Sequence, residues 1–586
     1  MAVENLITEH IDIWMSAVKT RSTSGRGSSK KLELYGIKKL RELILELAVR
    51  GKLVPQDPND EPASVLLERI AQERAQLVKE KKIKKPKKLP NISDEEKPFD
   101  LPNGWKWVRF PDVAHYGPGK TPATKNSLYW DETGSGIPWV SIADLNDKST
   151  VSVSTKKVSD IAVEQVFKRT PIPAGTMLMS FKLTVGKASI LNVDAFHNEA
   201  IISVFPYKGV LQSYLFKVLP SRANSGNKKN AIMGFTLNAE SLSLLTIPLP
   251  PEAEQHRIVA KVDELMVLCD QLEQQTEASI EAHQVLVTTL LDTLTNSADA
   301  DELMQNWARI SEHFDTLFTT EESIDQLKQT ILQLAVMGKL VPQDPSDESA
   351  AELLKRIAEE KAQLVKEKKI KKQKALPPIS EDEKPFKLPN GWEWSRFADV
   401  INEVATGPFG SMINKREYIS KGVPLINPSH MINQKIIEDS SISVSDDKAK
   451  ELNSYRIKPG DILMARRGEM GRCALVTERE HNWLCGTGSF VLKFQEEIYR
   501  PYILLLFQTS WVRAYLGGNS VGSTMINLNH TILNKMPILI PPKQEQVKIV
   551  SKVIELLDLC NDIADRVVVY RETQLKLANA IVDQMV

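Results

Sequence analysis

At 586 residues the chain is too long for one hydrophobic core, and length alone suggests roughly three to five domains. Its composition, 42% hydrophobic and 26% charged, is that of a globular protein, and no apolar run reaches the roughly 20 residues of a membrane span. Formal net charge is zero, with 75 basic and 75 acidic residues; this does not decide nucleic-acid binding, because phosphate attraction acts over about 10 Å and depends on local charge.

The opening MAVENLITEHIDIW carries acidic residues and no apolar core, so no secretory signal is expected and cytoplasm is the default location. RSTSGRGSSKK (21–31) reads as a flexible basic loop. A helix follows over 34–50, with Ile37, Leu40, Ile44 and Leu47 on one face. GKLVPQDP (51–58) ends it: Gly51 stands where a helix C-cap belongs, Pro55 stops continuation, and Asp57-Pro58 adds a turn. The next helix, SVLLERIAQERAQLVKEKK, runs into the lysine-rich KEKKIKKPKK (79–88), read either as a solvated helix end leading into a linker or as an arm that contacts phosphate or another subunit. Trp105 and Trp107 anchor the strand that enters a segment of short β-rich runs and Gly turns, 112–246. GPGKT (117–121) imitates a phosphate-binding loop, but Ala114 replaces the required glycine and Pro122 blocks the helix start. After Pro250-Pro251 a helix of some 40 residues, about 60 Å, carries an apolar seam of Ile258, Val262, Leu265, Cys269 and Leu272, with Glu254 in its first turn suiting the dipole.

All these elements then recur. A shift of 287 residues aligns Leu45–Phe110 with Leu332–Phe397 at roughly three-quarters identity, and a shift of 291 aligns 247–272 with 538–563. The chain is two tandem copies, near 1–297 and 298–586, whose similar frames hold weakly similar inserts, 112–246 and 399–537. The second copy supplies a helix with Ile324, Leu327, Ile331, Leu334 and Met337, a second GKLVPQDP (338–345), the tail KEKKIKKQK (366–374) and Trp392/Trp394. Its last helix has the seam Ile549, Val553, Leu556, Cys560, Ile563, Val567 and Tyr570. Helix 252–297 leading into 322–337 predicts an antiparallel hairpin; helix 543–586 should meet helix 34–50, so that the ends close a pseudo-two-fold ring. The fold class expected is α+β: two mixed α/β domains separated by long antiparallel coiled-coil helices. The expected boundaries are 1–99 helical, 100–250 first globular domain, 251–386 helical spacer, 387–541 second globular domain and 542–586 C-terminal spacer helix.

Four cysteines lack ligand spacing, nine histidines form no constellation, and no nucleotide, methyltransferase, hydrolase or metalloprotease motif occurs. The chain reads as non-catalytic. IPLPPEAEQHRIV, ILIPPKQEQVKIV, AGTMLMS, GDILMARRG and GKTPATKNSLYWDETGSGIPWVSIADL resemble the specificity subunit of Type I restriction–modification enzymes, and ELYGIKKLRELILELAVRGKLVPQDPNDEP looks like the branch called IB. The second motif departs from the Pro-spaced pattern at Ile540. The resemblance implies that each insert is a target-recognition domain reading half of a split, asymmetric duplex DNA sequence. The helices would then set the gap and dock two methyltransferase subunits. It also implies no cofactor in this chain; S-adenosylmethionine, ATP and Mg would be held by the methyltransferase and motor-nuclease partners, in a bacterial or archaeal cytoplasm.

Base reading needs long polar side chains in exposed loops, with Lys and Arg on phosphates supplying most affinity. The candidates are Lys120, Thr121, Lys125, Lys182, Lys187, Lys228 and Lys229 in the first domain. In the second they are Lys415, Arg416, Arg466, Arg467, Arg472, Asn519 and Ser520. Trp130 and Trp139 are expected in the core. Two other readings are a self-contained enzyme, disfavoured by the missing motifs, and a coiled-coil scaffold whose inserts bind proteins rather than DNA.

Overall fold

The computed structural model describes residues 7–21, 31–83, 85, 88–147, 149–225, 229–231, 234–298, 300–409, 412–518 and 528–586. Residues 22–30 of the flexible loop expected at 21–31, and three residues of the first lysine run (84, 86 and 87), lie outside these, while Arg21 and Lys31 pair as strand ends. Two compact units emerge, Met1–Ala278 with Arg571–Val586, and Ser279–Tyr570.

In the first unit, α1 (Tyr35–Val49) buries Ile37, Leu40, Ile44 and Leu47, the face its spacing predicts. It stops at Gly51, whose φ of +67° and whose Cβ space, 2.5 Å from Pro102 Cγ, both require glycine. Helix α2 (Ala63–Lys79) follows and buries Ala63, Leu66 and Ile70. Strand Lys106–Arg109 then pairs antiparallel with Thr246–Leu249, so the entry and exit of the insert are clasped together. Just beyond, α3 (Glu252–Asn296) begins.

Glu254 does more than suit the helix dipole. Its carboxylate accepts from Trp105 Nε1 at 2.9 Å and Gln56 Nε2 at 3.1 Å, joining the octapeptide, the anchoring tryptophan and the long helix. Burial pushes its pKa up, against the pull of those two donors. The neighbouring Gln255 accepts from Leu211 N at 2.8 Å and donates to Gly209 O at 3.2 Å, tying the helix to the insert.

The start of α3 runs antiparallel to α1. Arg41 pairs with Asp270 at 2.7 Å and Glu273 at 2.5 Å near one end, while Gln56 reaches Glu254 near the other. The chain's last helical turns run parallel to α1: Tyr35 Oη donates to Asn579 Oδ1 and Arg50 Nη1 to Val586 O, both at 2.8 Å. The terminal helices therefore meet, as the sequence predicts.

The second unit repeats this frame with α4 (Glu321–Val336), α5 (Ala350–Lys366) and α6 (Lys543–Met585). Gly338 has φ +68°, Trp392 Nε1 donates to Glu545 Oε2 at 2.9 Å, and Gln343 Nε2 reaches Glu545 Oε1 at 3.2 Å. Lys328 bonded to Asn561 at 2.9 Å completes an antiparallel pairing of α4 with α6. The predicted hairpin of α3 with α4 is not what forms. Thr288 faces Gln326 at 3.5 Å, and Lys339 Nζ donates to Thr295 O and Ser297 O at 2.8 Å, so α4 runs parallel to the last turns of α3. The reason is helix Ala300–Ser311, which buries Leu303 and Ile310 and carries the chain back before α4 starts.

Although the inserts align only weakly, four strands of the main sheet follow one order in both, and the first adds a fifth. The first contains a sheet ordered Ala114–Pro118, Ile201–Pro206, Met177–Ser180, Ala188–Leu191, Ser149–Val151. The second has Ile401–Thr406, Ser489–Phe494, Ile462–Ala465, Cys473–Leu475. Beside each lies a smaller sheet. Its centre, Ile137–Val140 or Val423–Ile426, pairs parallel with Phe196–His197 or Leu484–Cys485 and antiparallel with Lys156–Val158 or Ser443–Val444. Tyr214 and Tyr502, both buried, donate to Pro248 O and Leu539 O on the exit strands. Paired sheets and flanking helices make each unit α+β.

Candidate nucleic-acid interface

Strand register gathers the candidate side chains. In the first insert Pro118 pairs with Ile202, Ser180 with Ile201 and Ala188 with Met179, so the ends of these strands share one rim of the sheet. Lys120 and Thr121 leave that rim after Pro118, and Lys182 and Lys187 lie in the connection between Ser180 and Ala188. Backbone bonds close the rim: Gly119 N donates to Ile201 O at 3.2 Å, Lys120 N to His197 O and Phe181 N to Ala200 O, both at 2.9 Å. Gly119 must be glycine, since a Cβ would lie 1.8 Å from His197 O. The GPGKT stretch thus ends a strand and starts no helix, as its proline predicts.

The second insert builds the same rim. Gly407 N donates to Ser489 O at 2.9 Å and Arg466 N to Gly488 O at 2.8 Å, matching Gly119 and Phe181. Arg466, Arg467 and Arg472 occupy the connection that holds Lys182 and Lys187 in the first. Leu528 N donates to Arg466 O as Leu237 N does to Phe181 O, at 3.0 and 2.8 Å.

These side chains differ in freedom. Lys120 is exposed, its Nζ 3.2 Å from Val166 O, and Thr121 donates to Glu199. Lys182 lies 5.2 Å from the Phe181 ring centroid, and Lys187 donates to Ile142 O at 3.3 Å. Arg466 is half-buried over the Phe490 ring at 4.9 Å and reaches Leu528 O at 3.5 Å; burial, then the charge of Arg467, lowers its pKa. Arg467 is exposed. Arg472 is paired with Glu469 at 2.8 Å, so a phosphate or base would have to displace that carboxylate. Lys125, Lys415 and Arg416 are exposed but lie outside these rim connections, the latter two in a one-turn helix capped by Asn414 and Glu417. Lys228, Asn519 and Ser520 lie outside the described residues, as does the side chain of Lys229, whose backbone forms strand Lys229–Ala231.

Trp139 is buried, packs edge-to-face on Trp130 at 5.1 Å and donates to Lys120 O at 2.9 Å, the core role expected. Sequence reasoning missed Glu199, Thr406 and His530. Thr406 Oγ1 lies 2.7 Å from His530 Nε2, a pairing that joins residues 124 positions apart and leaves no local signal. Among the described residues no helix is long and apolar enough to cross a membrane.

The family described as Type I restriction modification DNA specificity domain matches residues 102–282 and again 389–566, once in each copy. The chain is 43% identical to the Type I restriction enzyme EcoAI specificity subunit of Escherichia coli, over all of this chain and 99% of that one. It is 42% identical to the EcoEI specificity subunit of the same organism, again over all of this chain and 99% of that one. A solved structure, the HsdS subunit from Thermoanaerobacter tengcongensis, is similar with 16% identity and a TM-score of 0.39, over 84% of this chain and 98% of that chain.

Proposed function

Because the chain belongs to the Type I restriction–modification DNA specificity subunits, we propose that its two inserts read the two halves of one split, asymmetric DNA target. It is the non-catalytic recognition subunit. Adenine methylation and ATP-dependent cleavage belong to its methyltransferase and motor-nuclease partners, which hold the S-adenosylmethionine, ATP and Mg. One methyltransferase subunit would dock on each copy of the frame, two in all, and the complex would work in the cytoplasm.

The observation that carries this reading is one sheet rim built twice with different side chains. Lys120, Thr121, Lys182 and Lys187 stand on the first, and Arg466, Arg467 and Arg472 on the second. Lysine offers phosphate a point charge, whereas arginine can grip guanine bidentately, so the two rims suit different half-sites. The remaining candidates, Lys125, Lys228, Lys229, Lys415, Arg416, Asn519 and Ser520, belong to the same proposal as further DNA contacts.

The test is to replace residues 112–246 with the corresponding segment of a relative and sequence the methylated adenines in DNA from cells expressing the complete system. One half-site should change while the other half and the spacer stay. A simultaneous change in both halves would refute modular reading.

A further inference from the structure

Each unit carries a lysine-rich arm that the sheet rims do not use. Residues 75–83, at the end of α2, are identical to 362–370, at the end of α5. Leu77, Val78 and Ile83, like Leu364, Val365 and Ile370, are half-buried, so packing accounts for them. Packing does not account for the lysines, which are exposed at Lys81 and Lys82 in the first copy and at Lys368 and Lys369 in the second.

The described starts of the two arms are built alike. Lys81 and Lys368 adopt φ of +59° and +57°, a left-handed position where glycine or asparagine would be less strained. Lys82 pairs with Glu80 and Lys369 with Glu367, each at 2.8 Å. Beyond the lysines the chain is held again: Arg109 Nη2 donates to Pro90 O and Asn91 O at 3.4 Å, and Arg396 to Pro377 O and Pro378 O at 3.2 and 3.1 Å. Both ends are therefore pinned. Residues 79–88 hold seven lysines against one glutamate, and 366–374 hold six against one, in a chain whose net charge is zero. In the second unit the arm borders a cleft of about 840 Å³ lined by Lys366, Lys372 and Lys374, with Asp399, Lys361 bonded to backbone carbonyls and Arg396 held by Glu383 also in its walls.

Whatever meets both arms must be the same at both, although the two rims differ. The phosphate backbone meets that condition, being alike along the duplex whatever its bases, and so would a methyltransferase subunit docked once on each copy. Protein interfaces are depleted in lysine, whereas clustered lysines gain affinity by releasing counterions from DNA. We infer that the two arms, 79–88 and 366–374, are a second, sequence-independent contact with duplex DNA phosphates, outside the recognition sheets. This inference rests on the DNA-recognition reading above.

The experiment uses the chain assembled with its methyltransferase subunits, carrying Lys79→Gln, Lys81→Gln and Lys85→Gln together with Lys366→Gln, Lys368→Gln and Lys372→Gln. Binding to a duplex of unrelated sequence is titrated across a salt series. It should weaken on the order of tenfold or more, and the slope of log K against log salt should flatten by about 0.9 for each phosphate no longer neutralised. The methylated sequence should stay the same, and Lys→Arg at the six positions should retain parental binding. An unchanged slope would overturn the inference. So would loss of methyltransferase subunits from the variant if the fraction still assembled kept the parental slope, because the arms would then be protein-docking surfaces. Failure of the unsubstituted complex to prefer its methylated sequence over unrelated DNA would instead count against the recognition reading.

Discussion

Arg109 and Arg396 are buried at equivalent positions, and each is held by one carboxylate. Glu96 and Glu383 accept from them at 2.7 and 2.6 Å, and the guanidinium bond, followed by the backbone N–H of Ser93 or Ser380, lowers each carboxyl pKa to about 2. Since the folded pKa lies below the ordinary glutamate value, the pair's stabilisation is complete above about pH 4.5 and fades as pH falls toward 2. Glu96→Ala should cost about 2 kcal/mol at neutral pH, under the range for a fully buried pair because the carboxylate reaches solvent. In urea unfolding of parent and variant, that gap should shrink as pH drops from 5 toward 2. Among the rim arginines, Arg467→Ala should weaken target binding by about 1–3 kcal/mol. Arg472→Ala should have less effect, because Glu469 already neutralises it; titration with target and unrelated duplexes reads both. Arg467 and Arg472 look equally available in the sequence. Only the fold shows that one is exposed and the other paired.

Among the elements, the caps were legible and the partners were not. Gly51 and Gly338 announce helix ends because the next residues forbid continuation, and both adopt positive φ. Gly51→Ala should destabilise the protein by about 2 kcal/mol, combining left-handed strain with a clash against Pro102, and should lower the midpoint of thermal unfolding. The apolar seams predicted which faces of α1, α3, α4 and α6 are buried, and those faces are buried except toward the end of the α6 seam, where Val567 is half-buried and Tyr570 exposed. They could not give direction, because a 4-3-4-3 spacing reads the same from either end. Polar pairings and the return helix Ala300–Ser311 set α4 antiparallel to α6 and parallel to the end of α3.

For the whole molecule, α3 and α6 are where the chain passes between its two compact units, at 278/279 and 570/571. Inserting seven residues at both places lengthens each helix by about 10.5 Å while preserving the seam, equivalent to about three base pairs. The half-sites should persist and the spacer between methylated halves should grow by that amount, as read by sequencing modified adenines. An insertion in one helix alone should instead reduce methylation, because the two connections would then differ in length.

The duplication, the helical seams, the glycine caps and the divergence of the inserts are written in the chain, because each depends on neighbouring residues or on comparing one copy with the other. The shared topology of the two inserts was only faint there, since alternating apolar residues specify strands but not their order. The tertiary structure decided which strands meet at the rim, why Glu254 and Gln255 follow the double proline, and which of the rim cations are held by a carboxylate. Each of these arises from contacts that the fold, not the local pattern, brings about. The repeated GKLVPQDP belongs to both accounts: its glycine and prolines end a helix locally, but Gln56 and Gln343 complete the buried carboxylate sites only when the distant long helices arrive.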